Sequence, residues 1–280
     1  QYWPRKRAAD IVARVRTWTP NNIPIKEAKL LGFAGYKVGM THVLVVDNRP
    51  TSITKGEEIQ FPVTVVECPP IKVAAVLFYK QDAYGSHCVG QINAEKLDKE
   101  VERKMNIMKK PGKVSDEKDL SDIRVLVHTQ PKLTVTGKKK PEIFEIGIGG
   151  TKEQQLVYSK EKIGKEISVN EIFKEGQNLD VHSLTKGKGF QGPVKRFGIQ
   201  LRQHKSEKSR RNPGSLGAWN SQGHIMWRTA HAGKTGYNLR TEYNKWLVKI
   251  GNNPEEINVK GGFVNYGIVR NPYIIVKGSI

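Results

Sequence analysis

Gly187-Lys188-Gly189-Phe190-Gln191-Gly192 has the GxGxxG spacing that cradles a phosphate when it follows a strand and opens a helix. A dinucleotide site also needs an acidic residue about 20 positions on to hold the ribose. Position 212 is instead Asn, in a basic, glycine-rich tract, and Pro193 follows the last glycine at once. With Val194 the run also mimics a kinase glycine loop, but no HRD or DFG follows to supply base and metal ligands. Ala232-Gly233-Lys234-Thr235 resembles the end of a phosphate loop. The first glycine of that loop would stand at position 228, which is Arg228, so a basic turn is the better reading. His182, His204, His224 and His231 share the last third of the chain without HxxxH spacing or cysteine partners, which argues against zinc. No Ser or Cys stands in a nucleophile elbow. Carboxylates for acid–base work are scarcest where these motifs are densest. The residues define no catalytic set, cofactor site or metal site.

What remains in that region is charge and aromatic surface. Between Lys186 and Arg240 there are 12 basic residues and one acidic, Glu207, with Phe190, Phe197, Trp219, Trp227 and Tyr237 interleaved. Lys and Arg neutralise phosphates, while aromatic faces and guanidinium planes stack on unpaired bases. The expected RNA contacts here are Lys186, Lys188, Lys195, Arg196, Arg202, His204, Lys205, Lys208, Arg210, Arg211, Trp219, His224, Trp227, Arg228, Lys234 and Arg240. Arg5, Lys6 and Arg7, with Arg14 and Arg16, form a second and smaller basic arm. Set against this reading is the blander one, a small satellite core holding Trp219 and Trp227, in keeping with the burial habits of Trp.

The elements that must carry these residues are those of a mainly β protein. The chain has 280 residues, a soft prior of about two domains. Its 37% apolar content suffices for a packed core. Net charge is +20, and such an excess favours a polyanionic partner, with nucleic acid foremost. Two cysteines, Cys68 and Cys88, give no disulfide framework and fit a reducing compartment. The longest clean apolar run, Val73–Tyr79, is too short to span a bilayer, and QYWPRKRAAD does not read as a signal peptide. The absence of an initiator Met suggests trimming.

Apolar periodicity predicts strands over Leu30–Asp47, Phe61–Cys68, Ile71–Lys80, Ile123–His128, Glu142–Ile148, Asn178–Thr185, Lys245–Ile250, Gly262–Arg270 and Tyr273–Lys277. Leu97, Val101, Met105 and Met108 predict a helix over Ala94–Lys110, and Asp116–Asp122 a short one. Thr151–Ile163 reads as a helix capped by Thr151 ahead of Gln154. Residues 1–29 then form a basic extension, 30–79 with 178–280 a discontinuous β body bearing a basic finger at 186–240, and 80–177 an α/β insertion.

Longer motifs resemble a known family. TKGKGFQGPVKRF (Thr185–Phe197), GSLGAWN (Gly214–Asn220), GYNLRTEYNK (Gly236–Lys245) and GGFVNYGI (Gly261–Ile268) are similar to the large-subunit ribosomal protein L-three family. LGFAGYKVGMTH (Leu31–His42) and FPVTVVECPP (Phe61–Pro70) extend the likeness over nearly the whole chain, and PRKRA resembles the archaeal and eukaryotic branch. The resemblance implies a translation-type β-barrel with an α+β insertion, a long irregular basic finger and an N-terminal tail, both entering rRNA. It implies a structural, non-enzymatic role in the cytoplasm: organising large-subunit rRNA during assembly, beside neighbouring ribosomal proteins, and bracing the region behind the peptidyl-transferase centre. No membrane and no small-molecule substrate is implied. Trp219 would sit at the finger tip and Lys186, Lys188, Lys195 and Arg196 at its base. The chain departs from the pattern where Asn220-Ser221-Gln222-Gly223 separates Trp219 from His224, and where it ends at VKGSI. The contrasting hypothesis is a nucleotide-dependent RNA-modifying enzyme using the Gly187–Gly192 loop.

Overall fold

Pro69 and Pro70 separate two strands that belong to different sheets. Neither proline has an N–H to give to a ladder, so pairing stops there and the chain changes sheet. The computed structural model describes residues 5–15, 17–18, 27–106, 120–218 and 225–280. In chain order the strands are β1 (Tyr36–Val46), β2 (Glu58–Glu67), β3 (Ile71–Asp82), β4 (Gly85–Asn93), β5 (Asp122–His128) and β6 (Ile143–Gly147). They continue with β7 (Glu166–Ile167), β8 (Asn178–Leu184), β9 (Phe190–Gln191), β10 (Gly233–Lys234), β11 (Leu239–Gly251) and β12 (Tyr273–Lys277). The α-helices are α1 (Lys152–Lys162), α2 (Val169–Ile172) and α3 (Pro193–Phe197). The chain divides into a larger unit, Val15–Val181 with Glu242–Ile280, and a smaller one, Gln1–Arg14 with His182–Thr241.

The first sheet runs β1-β2-β12-β11-β8; the second runs β4-β3-β5-β6, with β7 on the end of β3. The molecule is therefore mainly β. Among the described residues the pairings make open paths and close no ring, so the expected barrel is not seen as a closed structure. Beyond Pro69-Pro70 the chain runs in the second sheet, where β3 pairs with β5 from Lys72 and with β4 from Ala75.

Burial explains the elements. Every residue from Val73 to Phe78 is buried, as a central strand covered on both faces requires. β5 alternates: Ile123, Val125 and Val127 point into the core that Leu30, Ile71, Phe78, Ile146 and Ile148 complete. Trp18, within the segment read as a basic extension, packs against this cluster. Gly32 and Gly147 leave room for it; a Cβ at either would come within 2.7 Å of the Trp18 side chain. α1 carries the expected capping box between Thr151 and Gln154. The turn after β1 is organised by Asp47, whose carboxylate accepts from the Arg49 guanidinium (2.8 and 2.9 Å), Ser52 Oγ (2.6 Å) and Thr54 Oγ1 (2.8 Å). These donors, Arg49 first, hold it far below the usual carboxylate range.

Four expectations are corrected. The helix over 94–110 is only a 3-10 turn at Lys99–Arg103 among the described residues. Ala94 N donates to Ala74 O, prolonging the β4 edge, and Val101 is the one buried side chain of the turn, so no helical face is required. Met108 lies outside the described residues. Of the short helix over 116–122, residues 116–119 also lie outside them, and Asp122 opens β5. Residues 262–270 form no strand: Phe263 and Gly267 close a tight turn through N–H···O bonds of 2.8 and 2.9 Å, with Asn265 and Gly267 at positive φ. β1 begins at Tyr36, while Leu30 makes an isolated bridge to Ile148.

Candidate nucleic-acid interface

Charge segregates with structure. The smaller unit holds 16 of the 47 basic residues and 2 of the 27 acidic ones, Asp10 and Glu207, a net of +14. The larger unit, with most of the chain, carries the remaining +6. Self-repulsion of this kind opposes compaction, so the unit requires local devices to hold its shape.

One device is the short β9–β10 ladder, in which Gly233 pairs with Gln191 and Lys234 with Phe190. It is extended by Lys188 N to Thr235 O and Thr235 N to Gly189 O, both 2.9 Å. α3 follows, with Pro193 in the first turn where its missing N–H costs nothing, and Gly198 in the left-handed C-terminal position. Gly236 closes the base at φ +74°, and a Cβ there would lie 2.1 Å from Lys186 O. Only glycine fits.

Arg196 is the second device. Its guanidinium donates to the carbonyls of Lys234 (3.1 Å), His231 (3.0 Å) and Arg5 (2.9 Å), a fork that lysine could not reproduce. Arg5 donates in return to Arg196 O. Both guanidiniums lie over the Phe197 ring, at 4.1 Å for Arg5 and 5.1 Å for Arg196. Burial, and then the neighbouring Arg5 charge, lower the Arg196 pKa from its ordinary value. Arg7 lies 5.3 Å from the centre of the Tyr237 ring, and Ala8 N donates to Tyr237 O at 2.9 Å. The N-terminal arm is thus bound to the finger base by its backbone and its cations.

Most residues expected to meet RNA present their side chains to solvent. Lys6, Arg7, Arg14, Lys186, Lys188, Lys195, Arg202, His204, Lys205, Lys208, Arg210, Arg211, Trp227, Arg228 and Lys234 are exposed; Arg5, Arg196 and Arg240 are half-buried. Phe190 and Trp227 are 73% and 70% exposed, which removes Trp227 from any satellite core. Arg16, Trp219 and His224 lie outside the described residues. Thr235, Gly236 and Asn238, none of them among the expected RNA contacts, line a cavity with Arg5 and Arg196. The Gly236-Tyr237-Asn238 run was their signal, since Gly and Asn mark the tight turn that the arm docks on.

The glycine motif is not a nucleotide cradle here. Lys188 N is committed to the ladder, β9 lies inside the motif, and the helix after it spans five residues and starts on a proline without an N–H. The Thr235 amide is likewise committed. Among the described residues no group of three or more His, Cys, Asp or Glu side chains could hold a metal, and no helix is long and apolar enough to cross a membrane.

Fold and site define a class: a β-rich protein with a segregated polycationic unit and no catalytic constellation among its described residues. The chain belongs to the Ribosomal protein L3 family, whose model matches residues 2–115 and 113–280. It is similar to the large ribosomal subunit protein uL3 of Archaeoglobus fulgidus, at 47% identity over 286 residues covering 99% of this chain and 85% of that protein. The proteins of the same name from Methanococcus aeolicus and Methanocaldococcus jannaschii are each 43% identical, covering 99% of this chain and 84% of their own length. These relatives are archaeal, in keeping with the archaeal-type N-terminal motif.

Proposed function

We propose that this chain is a structural constituent of the large ribosomal subunit in the cytoplasm, not an enzyme, and that it binds and organises large-subunit rRNA during assembly. The observation that carries this reading is the segregation of +14 of the net charge into a unit that contains two acidic residues. A polyanion with closely spaced phosphates offsets such a field. The relatives are named as proteins of the large ribosomal subunit, and in this reading the polyanion is the rRNA of that subunit, with neighbouring ribosomal proteins as further partners. In this reading the first sheet is wall to a translation-type barrel, and the exposed cations of 186–240 follow the rRNA backbone. Trp219 stacks at the finger tip near the peptidyl-transferase centre, where the flanking glycines of GSLGAWN admit close approach of backbone to RNA.

The test is binding of the full chain to large-subunit rRNA at several salt concentrations. Affinity is expected to fall with a log–log slope of about −0.7 to −0.9 for each phosphate contacted. A flat salt dependence, or no retention of rRNA, overturns the reading. Trp219→Ala tests the tip: subunits should still assemble, with altered tRNA handling, because one stacked base is worth roughly 1–3 kcal/mol.

A further inference from the structure

The smaller unit contains a cavity of about 110 Å³ bordered by Arg5, Arg196, Lys234, Thr235 and Arg240. Four of these are cations, and no carboxylate lines the cavity. The space equals roughly three to four waters at about 30 Å³ each, the scale of one tetrahedral oxyanion. Thr235 adds an independent sign. Its Oγ1 is buried without a hydrogen-bond partner, a state that native structures rarely tolerate unless a ligand or water completes it. The Thr235 and Lys188 amides are spent on the β9–β10 ladder, so any anion here is met by side chains rather than by a backbone cradle. The AGKT run therefore contributes its lysine and threonine to a pocket of a different kind from the phosphate loop that it mimics.

A second cavity, of about 290 Å³, shares Asn238 and Arg240 with the first and adds Lys6 and Arg7. Two cationic hollows that share one arginine suit successive charges on a strand better than an isolated ion. Their walls come from two parts of the chain, the N-terminal arm and the finger base. Between those parts, the Arg5 and Arg196 guanidiniums share one aromatic ring while repelling each other.

We infer that Arg5, Arg196, Lys234, Thr235 and Arg240 form a pocket for one phosphodiester of an RNA strand, and that filling it fastens the N-terminal arm to the finger base. The phosphate accepts from the Thr235 hydroxyl and the guanidiniums, and its charge cancels the repulsion that otherwise loosens the arm. The inference rests on the rRNA-binding reading and adds to it a defined site and a consequence: RNA contact at the base orders the arm.

The test uses the full chain at fixed ionic strength and follows tryptic cleavage after Lys6 and Arg7 by mass spectrometry. A short single-stranded RNA of mixed sequence should slow this cleavage about tenfold, equivalent to roughly 1.4 kcal/mol. Lys234→Gln with Thr235→Val should abolish the protection, and Thr235→Ser alone should keep it. Lys55→Gln with Lys174→Gln, which removes as much exposed charge from the larger unit, should also keep it. Equal protection in the pocket and control variants overturns the pocket while leaving rRNA binding intact. Protection by inorganic phosphate as complete as by RNA at equal phosphate concentration overturns the strand as the ligand. Failure of the native chain to retain large-subunit rRNA overturns the underlying reading instead.

Discussion

Arg5 and Arg196 each donate a hydrogen bond to the other's backbone carbonyl, so two like charges 191 positions apart in sequence hold the arm in place. The attraction is not between the side chains but between each guanidinium and the other's peptide dipole, with the Phe197 face beneath both. Arg196→Lys keeps the charge and removes the planar fork. Tryptic cleavage after Lys6 and Arg7 should rise about tenfold, or roughly 1.4 kcal/mol, while the unfolding of the larger unit stays as it was. Unchanged cleavage would show that the arm is held by something other than this pair.

Gly236 and Gly189 both have positive φ, +74° and +65°, but different surroundings. A Cβ at Gly236 strikes Lys186 O, whereas nothing lies within 4 Å of one at Gly189. Gly189→Ala should therefore cost only the conformational term, roughly 1–2 kcal/mol. Gly236→Ala should cost that term and also force the finger base apart. Limited proteolysis of residues 185–237 should distinguish them, with Gly236→Ala opened and Gly189→Ala nearly native. Equal effects would mean that the close approach to Lys186 is not required.

Glu67 is fully buried in β2 and accepts four hydrogen bonds. Oε1 receives Arg270 N (2.9 Å), Asn271 N (2.9 Å) and Asn271 Nδ2 (2.7 Å), while Oε2 receives the Tyr266 hydroxyl. Burial, then the Glu67 carboxylate, push the Tyr266 pKa far up, so its hydroxyl stays a donor. Glu67→Leu strands these donors at roughly 1–3 kcal/mol each and should leave the larger unit unfolded or nearly so. Glu67→Gln should be much milder. Its oxygen can serve the three nitrogens, while its amide donates to the Tyr266 oxygen, which can accept. Urea unfolding of both variants checks the order, and a Gln variant as damaged as Leu would show that the charge itself is indispensable.

The strands with strong alternation or continuous burial, such as Ile123–His128 and Tyr273–Lys277, could be read from sequence because their pattern is their physical cause. The helix over 94–110 misled because spacing alone cannot tell that Val101 is the only buried side chain of its turn. Trp18 could not be placed either: it fills space left by Gly32 and Gly147, distant positions whose missing side chains are the relevant feature. At the site, the cationic character of 186–240 was plain from composition. The Arg5–Arg196 pairing was not, since it joins carbonyls to cations across the whole chain, and sequence carries no mark for a carbonyl acceptor.

His128 provides the last prediction. The side chain is 2% exposed; Nδ1 lies 3.3 Å from Thr129 O, and Nε2 is buried without a hydrogen-bond partner. Around it stand Asp98, with Oδ2 at 3.9 Å, Lys72, which holds Asp98 Oδ1 at 2.8 Å, and Lys132. Burial comes first among the influences and lowers the imidazole pKa, outweighing the pull of the Thr129 carbonyl and Asp98. In the folded protein the ring is therefore neutral at pH values where the unfolded chain has taken up a proton. With the unfolded state binding more protons, stability falls as pH falls through the ordinary histidine value of about 6.5 toward the lower folded one. The slope can reach about 1.4 kcal/mol per pH unit. Asp98 is opposed by burial but held down by Lys72, so its contribution fades only below the ordinary carboxylate range, in a separate window. His128→Gln should remove the loss that sets in as pH falls through the ordinary histidine value of about 6.5, while leaving the more acidic one. Chemical unfolding midpoints over that fall in pH decide it: a variant that still weakens in parallel with the native chain would place the sensitive group elsewhere.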